Sequence, residues 1–460
     1  MTISEIKGLE RETVLLYNIL SDNKDKWQKL EEFNINHKEA DENSVYRYYF
    51  NLFYVGMSRA KHNIFVYEAD EIKSFNENNM KGAIVIEGHV QGLSNTRSLG
   101  ELGIPVYVLD VTHCLAQHSK YCSKYFRCPN FKSEEFITFL IELAQKENLQ
   151  GWFLIGSNDH IVENLSLHAQ ELATYYTMIV PAKEQLYNII DKANLMQIAS
   201  TCGTHIPKTC DINTIEESKG FAYPLLIKGR EGLSFYKATH QKAIQVNNEE
   251  ELVSKIQEIA LLTNDVMIQE LIPFDKQNRV VSFTCFAING DIQTYWMGQK
   301  LREHPIKYGT ATMSESVLIP QVLDEATPLV KTLNYTGICE IEFMRDTRDG
   351  NYKLIEINPR TWLWVGLAKE CGIDYAKIMY NYANHIKQQY PKSYQVGIKW
   401  RNAVTDFVFG WQAILQKHVT LAEYCKSLSG KCVHAIWSWK DLVPGLIFPF
   451  LSFYIAKNRR

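Results

Sequence analysis

No C-x-x-C pair occurs in the chain, and its ten cysteines have no histidine partners at ligand spacing, which excludes a structural zinc and a disulfide framework as organising elements. No apolar run reaches the roughly 18 residues of a membrane span. The nearest, Leu442 to Ala456, carries Pro444 and Pro449 and reads as a buried segment; peripheral membrane contact, helped by the following Lys457-Asn458-Arg459-Arg460, is the alternative. Neither sign of charge dominates, since 49 Lys and Arg against 52 Asp and Glu leave −3, so bulk electrostatics give no preference for nucleic acid. The opening MTISEIKGLERE lacks a signal-peptide core, and a reducing cytoplasm is the expected location. Two phosphate-binding signatures are missing as well: there is no G-x-x-x-x-G-K-[ST] loop, and Gly88, Gly92 and Gly100 do not make G-x-G-x-x-G. With 46% hydrophobic residues over 460, the chain has core for roughly two to four domains.

What is present concentrates between Gly337 and Arg360, GICEIEFMRDTRDGNYKLIEINPR. ICEIEFM and YKLIEIN flank Asp349-Gly350, the signature of a β-hairpin. Alternation puts Glu340 and Glu342 on one face of the first strand and Glu356 and Asn358 on one face of the second; Ile341, Phe343, Ile355 and Ile357 take the other. Carboxylate and amide oxygens crowded on a half-buried face repel one another unless a cation joins them, and hard oxygens with no nearby His or Cys suit magnesium. Arg360, just beyond, would hold a phosphoryl or carboxylate oxygen. The plain alternative is a surface hairpin with a solvated acidic face.

The E-F strand followed by E-x-N-P-R resembles the metal-binding end of the ATP-grasp superfamily. That resemblance implies Glu342, Glu356 and Asn358 as ligands of magnesium or manganese, with Glu340 a bystander, and ATP as the bound nucleotide. DKANLMQIASTCGTHIPKT resembles the segment whose early Lys approaches the α-phosphate, here Lys192. AYPLLIKGREGLSFYKA resembles the strand and flexible loop that follow. Lys228 would contact phosphate oxygens, a structural salt bridge being the other reading; the loop offers only Gly229 and Gly232, with Ser234 and Lys237 alongside. DVMIQELIP resembles the hinge strand, implying Glu270 and Leu271 at the adenine edge and Asp275 at the ribose. RVVSFTCFAINGDIQTYWMGQKLREHPIKYG reads as a hairpin through Asn289-Gly290 and then a basic turn with Lys300, Arg302 and Lys307. The resemblance implies that these cations serve the transferred phosphoryl group, Arg302 first and Lys300 second; a solvated edge is the alternative.

The flanks read differently. KGAIVIEGHVQGLSNTRSLGELGIPVYVLD is strand, glycine loop, helix with Leu93, Arg97 and Leu99, then a strand ending at Asp110. The loop either offers amides to a carboxylate or simply connects. EEFITFLIELAQKEN is an amphipathic helix, and GWFLIGSNDHIVENLS a strand ending at Ser157, Asn158 and Asp159, the last a ligand candidate or a helix cap. This order resembles the preATP-grasp domain. TWLWVGLAKECGIDYAKIMYNYANHIKQQ reads as helical, and the aromatic-rich tail from Pro391 resembles a C-terminal extension found in carboxylate-amine ligase-like members, including the D-aspartate ligase group, with capping as its expected role.

Near the start, KGLERETVLLYNIL and YVGMSRAKHNIFVYE resemble motifs V and VI of superfamily 1 helicases of the UvrD type, which implies Gly8 and Glu10 as nucleotide and DNA contacts and Arg59 on the γ-phosphate. Without a P-loop this fragment cannot hydrolyse ATP alone. The expected organisation is a helicase-like fragment over 1–78, a preATP-grasp domain over 79–180, an ATP-grasp catalytic domain over 181–385 and an extension over 386–460. The expected fold class is α/β and α+β: a Rossmann-like preATP-grasp domain, a two-lobed ATP-grasp fold and a small N-terminal α/β segment. The expected function is an ATP-dependent carboxylate-amine ligase working through an acyl phosphate on small-molecule carboxylate and amine partners. The alternatives are a helicase-related nucleic-acid-binding accessory and a non-catalytic ATP-binding scaffold.

Overall fold

This computed structural model describes residues 11–17, 60–67, 81–273, 279–305 and 309–458, whose strands form four sheets. The chain divides into two compact units, Met1–Met80 and Lys81–Arg460. In the first, β1 (Arg11–Tyr17) pairs in parallel with β2 (Ala60–Tyr67). Gly8, Glu10 and Arg59 lie outside the described residues.

The second unit begins with a parallel sheet of β3 (Ala83–Ile86), β4 (Val106–Asp110), β5 (Cys122–Arg127), β6 (Trp152–Gly156) and β7 (Tyr176–Met178), in the order β5-β4-β3-β6-β7. The AIVI run of β3 is buried throughout, as a central strand covered on both faces must be. Helices α1 (Val90–Glu101), α2 (Glu135–Glu147) and α3 (Asp159–Leu167) make the crossovers, α1 burying Val90, Leu93 and Leu99. The order reverses at β3, so the ends of β3 and β6 open onto a crevice. The Gly88 amide at that edge donates to Asp110 at 2.9 Å, so this part of the glycine loop closes on its own sheet.

A small antiparallel sheet follows: β8 (Thr209–Asp211), β9 (Leu225–Gly229), β10 (Ile244–Val246) and β11 (Val266–Glu270), ordered β10-β9-β11-β8. Around it lie α4 (Lys192–Thr201), α5 (Gly232–Thr239) and α6 (Glu249–Ala260). Helix α5 replaces the expected flexible loop. Two glycines are too few to keep this stretch open, and Phe235 draws it down by burying against Ile227 and Ile268. A side chain at Gly229 would collide with that Phe235 ring.

The large sheet runs β16-β15-β12-β13-β14-β17-β18, formed by β12 (Val280–Ile288), β13 (Asp291–His304), β14 (Thr310–Ser316), β15 (Gly337–Arg345), β16 (Tyr352–Asn358), β17 (Lys399–Arg401) and β18 (Cys432–His434). Asn289 and Gly290 turn between β12 and β13 with φ of 49° and 83°, the double positive φ of a two-residue hairpin. Helix α7 (Pro320–Thr332) covers one face, closing a core of Val281, Phe283, Leu329, Ile341 and Phe343. The segment after Arg360 is two short helices, Val365–Glu370 and Tyr375–Ala383, because Gly372 at φ 110° breaks the run. The extension does more than cap: β17 and β18 continue the sheet, and α8 (Ala403–Leu415) packs on β13 and β14. Helix α9 (Val443–Asn458) is the stretch expected to be buried; one side of it is exposed instead.

Candidate active site on the acidic strand pair

The hairpin places Glu342 opposite Glu356 and Glu340 opposite Asn358. Ile341 and Phe343 are fully buried behind them, as alternation requires. A bulge then intervenes: Phe343 pairs with Leu354, so Leu354 enters the core and Ile355, expected there, stays half-buried. The turn is locked by Asp346, fully buried, which accepts from Lys353 at 2.7 Å and from Arg348 at 2.6 Å. Burial opposes ionisation of Asp346, but these cations hold its carboxyl well below the carboxylate range.

Three cations from three other places converge on this acidic face. Lys300 of β13 sits 2.9 Å from Glu342, and Lys192, the first residue of α4, sits 3.2 Å from Glu356. Arg360 donates to Asn358 Oδ1 at 3.2 Å and grips Asp159 at 2.6 and 3.2 Å. Asn158 caps α3 through Ile161, which leaves Asp159 free for that pair and ties the crevice of the parallel sheet to the end of β16. Beneath, Glu340 accepts from Ser282 at 2.7 Å and from Asn358 at 3.2 Å.

The electrostatics follow from this crowding. Burial and then the neighbouring Glu342 push Glu340 up to about 7. Glu356 is pulled down to about 2, first by Lys192 and against its burial. Burial works against charge on Lys300 and Arg360, yet Glu342 for the one and Asp159 for the other keep both above their ordinary values.

Lys228 lies on β9 and donates to Gln269 Oε1 at 2.8 Å, so it is not in a salt bridge. Burial, with Lys192 nearby, lowers it to about 8. Gln269 was not singled out from sequence; the alternation of VMIQE, which puts it opposite Leu226 beside Lys228, was the available signal. The other hinge residues are engaged internally. Glu270 accepts from the Ala222 amide at 2.8 Å and pairs with Arg348 at 3.1 Å, while the Glu270 and Leu271 amides donate to the Lys208 and Pro224 carbonyls. Lys237 is exposed on α5, and Asp275 and Lys307 lie outside the described residues.

Arg302 does not accompany Lys300. The ladder between β13 and β14 slips on either side of Arg302, so two residues that alternation would align are directed to different partners. Arg302 forms a bidentate pair with the fully buried Asp406 of α8, at 2.7 Å for both contacts, and lies 4.6 Å from the Tyr424 ring. It fastens the extension to the sheet. Between them, beside Lys300, is a cavity of about 560 Å³ whose lining includes Arg279, Lys300, Arg302, Glu315, Lys399 and Lys426.

The chemistry of the donor set fits a hard divalent cation. Among the described residues no three His, Cys, Asp or Glu side chains form a metal-sized group. The ligands that the resemblance implies, the Glu342 and Glu356 carboxylates and the Asn358 amide oxygen, stand side by side on the strand pair, a number of protein oxygens that suits magnesium. Glu340 beneath them is raised first by its burial and then by Glu342.

Residues 311–389 match the family model described as the carbamoyl-phosphate synthase L chain, ATP-binding domain. This segment is similar to an ATP-grasp domain. The fold likeness extends beyond this segment. The N5-carboxyaminoimidazole synthetase of Staphylococcus aureus superposes with a TM-score of 0.54 at 16% identity, covering 69% of this chain and 80% of its own. The biotin carboxylase of Campylobacter jejuni, solved as a β-γ-ATP complex, superposes with a TM-score of 0.55 at 17% identity, covering 70% and 75%. Among curated proteins, a D-aspartate ligase of Enterococcus faecium is 24% identical over 253 residues, half of this chain. The match spans 59% of that enzyme's length.

Proposed function

We propose that this ATP-grasp chain joins a small-molecule carboxylate to an amine at the expense of ATP. The observation that carries the reading is the in-register Glu342 and Glu356 pair with Asn358, ringed by Lys192, Lys300 and Arg360. A carboxylate is a poor electrophile and needs a leaving group. Its oxygen attacks the γ-phosphorus of ATP, the bond to the β,γ-bridging oxygen breaks, and ADP departs. The amine nitrogen then attacks the acyl carbon, the carbon–oxygen bond to phosphate breaks, and the nitrogen releases a proton.

Each step asks the chain to position groups and stabilise charge, and no protein nucleophile is required. Lys192 and Lys228 face the triphosphate, and Lys300 stabilises charge spreading over the transferred group. Arg360, anchored by Asp159, orients the acyl phosphate. Glu342, Glu356 and Asn358 would hold magnesium, which supplies charge neutralisation of the phosphate oxygens. The cavity beside Lys300, lined by Arg279, Lys399 and Lys426 as well as by Glu303, Glu315 and Glu423, is a candidate acceptor site with groups of both charges. We read the domain boundaries at 180/181 and 385/386 as the limits of this catalytic part. Its unpaired cysteines accord with a cytoplasmic setting.

Phosphate release measured against a panel of amino acids and dipeptides tests the reading, with Glu356→Ala as control. Amine-dependent release that disappears in the variant supports it. Nucleotide binding without turnover for any acceptor would overturn it in favour of an ATP-binding scaffold, the role that the helical α5, in place of a mobile loop, would suit.

A further inference from the structure

The face of α9 turned away from the protein has no role in the ligase reading. Its inner side is fixed: Leu451 is buried, Ile447, Phe448 and Tyr454 pack on the core, and Asp441, just before the helix, is clamped by Arg97 at 2.9 Å and Ser119 at 2.7 Å. On the outer side Val443, Leu446 and Phe450 follow one another at intervals of three and four residues, one stripe of α9, and the exposed Trp439 lies in the turn just before the helix. Trp439 is 82% exposed and Phe450 79%. So large an exposed apolar row calls for a partner. A second exposed row, with Phe407, Trp411 and Leu415, lies on α8 of the same extension.

The charge of the extension points to the partner. Residues 391–460 carry ten Lys or Arg against three Asp or Glu, a balance of +7 in a chain whose net charge is −3. Two of the three acids are turned inward, Asp406 onto Arg302 and Asp441 onto Arg97. Lys417, Lys426, Lys431 and Lys440 are all exposed. Exposed Trp and Phe on an extension rich in exposed lysines match the interface of an anionic bilayer, where aromatic rings sit at headgroup depth and each basic residue adds attraction. A second copy of the same surface would bring like charges together. Spanning is excluded for α9, since no helix among the described residues is long and apolar enough to cross a membrane.

We propose that the C-terminal extension is a monotopic membrane anchor, with α9 lying in the plane of an anionic lipid surface and its Val443, Leu446 and Phe450 stripe inserted, joined by Trp439 of the preceding turn. This inference rests on the surface alone and stands independently of the ligase reading. The test is cosedimentation of the full chain with phosphatidylcholine vesicles, with and without phosphatidylglycerol. The protein is expected to pellet with the phosphatidylglycerol vesicles and to release as salt is raised. Leu446→Asp/Phe450→Asp should reduce binding by at least about tenfold while leaving the melting temperature and the single-species elution unchanged. Lys431→Glu/Lys440→Glu, at two exposed positions, should weaken binding to phosphatidylglycerol vesicles selectively. Wild-type protein that stays in the supernatant overturns the proposal. So does equal binding by the variants, or a wild-type dimer that the Leu446→Asp/Phe450→Asp change converts to monomer without altering lipid binding.

Discussion

Lys228 offers a prediction whose size can be worked from the structure. Its ammonium is lowered to about 8 by burial and by Lys192, against an ordinary 10.5. In the ligand-free protein about nine-tenths of the molecules carry the proton at pH 7 and about a tenth at pH 9. A phosphate oxygen binds the ammonium and not the amine, so binding above pH 8 must first take up a proton. The apparent affinity for ATP therefore falls about tenfold between pH 7 and pH 9. Lys228→Arg keeps its charge across this range and flattens the profile, whatever it does to the absolute affinity. The linked stability has a definite sign. The native state holds fewer protons than the unfolded chain between about 8 and 10.5, so the Lys228 contribution to unfolding free energy rises with pH in that window and is level below it. Calorimetric titration of a non-hydrolysable ATP analogue at constant ionic strength measures the first effect. A flat wild-type profile, or an unchanged slope in Lys228→Arg, would refute the reasoning.

Further expectations concern the other cations. Arg302→Met strands the buried Asp406 carboxylate and should cost roughly 3 kcal/mol or more in chemical denaturation, with little change in kcat of the folded protein. A large kcat loss at unchanged stability would return Arg302 to the chemistry. Lys300→Met should lower kcat about a hundredfold in phosphate-release assays and leave KM for ATP nearly unchanged. Arg360→Lys loses the two-pronged grip on Asp159 and should slow turnover more than it weakens nucleotide binding, checked by comparing kcat with the Kd for ADP.

Much of this site was legible in the sequence because it lies where local rules are strong. Alternation placed Glu342, Glu356 and Asn358 on one face, Asn289-Gly290 and Asp349-Gly350 fixed the turns, and the parallel sheet followed from its βα spacing. What failed had non-local causes. The slips around Arg302 broke the period of two, and its partner Asp406 lies 104 residues away, out of reach of any periodicity. Ile355 was misplaced by the same kind of bulge. Helix α5 formed because Phe235 buries against the small sheet, a tertiary gain that glycine counting does not see. The reach of Arg360 to Asp159 spans 201 residues; both were noted separately, and only the fold joins them.

The central claim is that two opposed glutamates and an asparagine make the chain's nucleotide binding depend on a divalent cation. Calorimetry of ADP binding with and without magnesium, in the wild type and in Glu342→Gln/Glu356→Gln, tests this most directly. The account predicts that magnesium tightens ADP binding about tenfold or more in the wild type and has no effect in the variant. An equal magnesium enhancement in both proteins would contradict it.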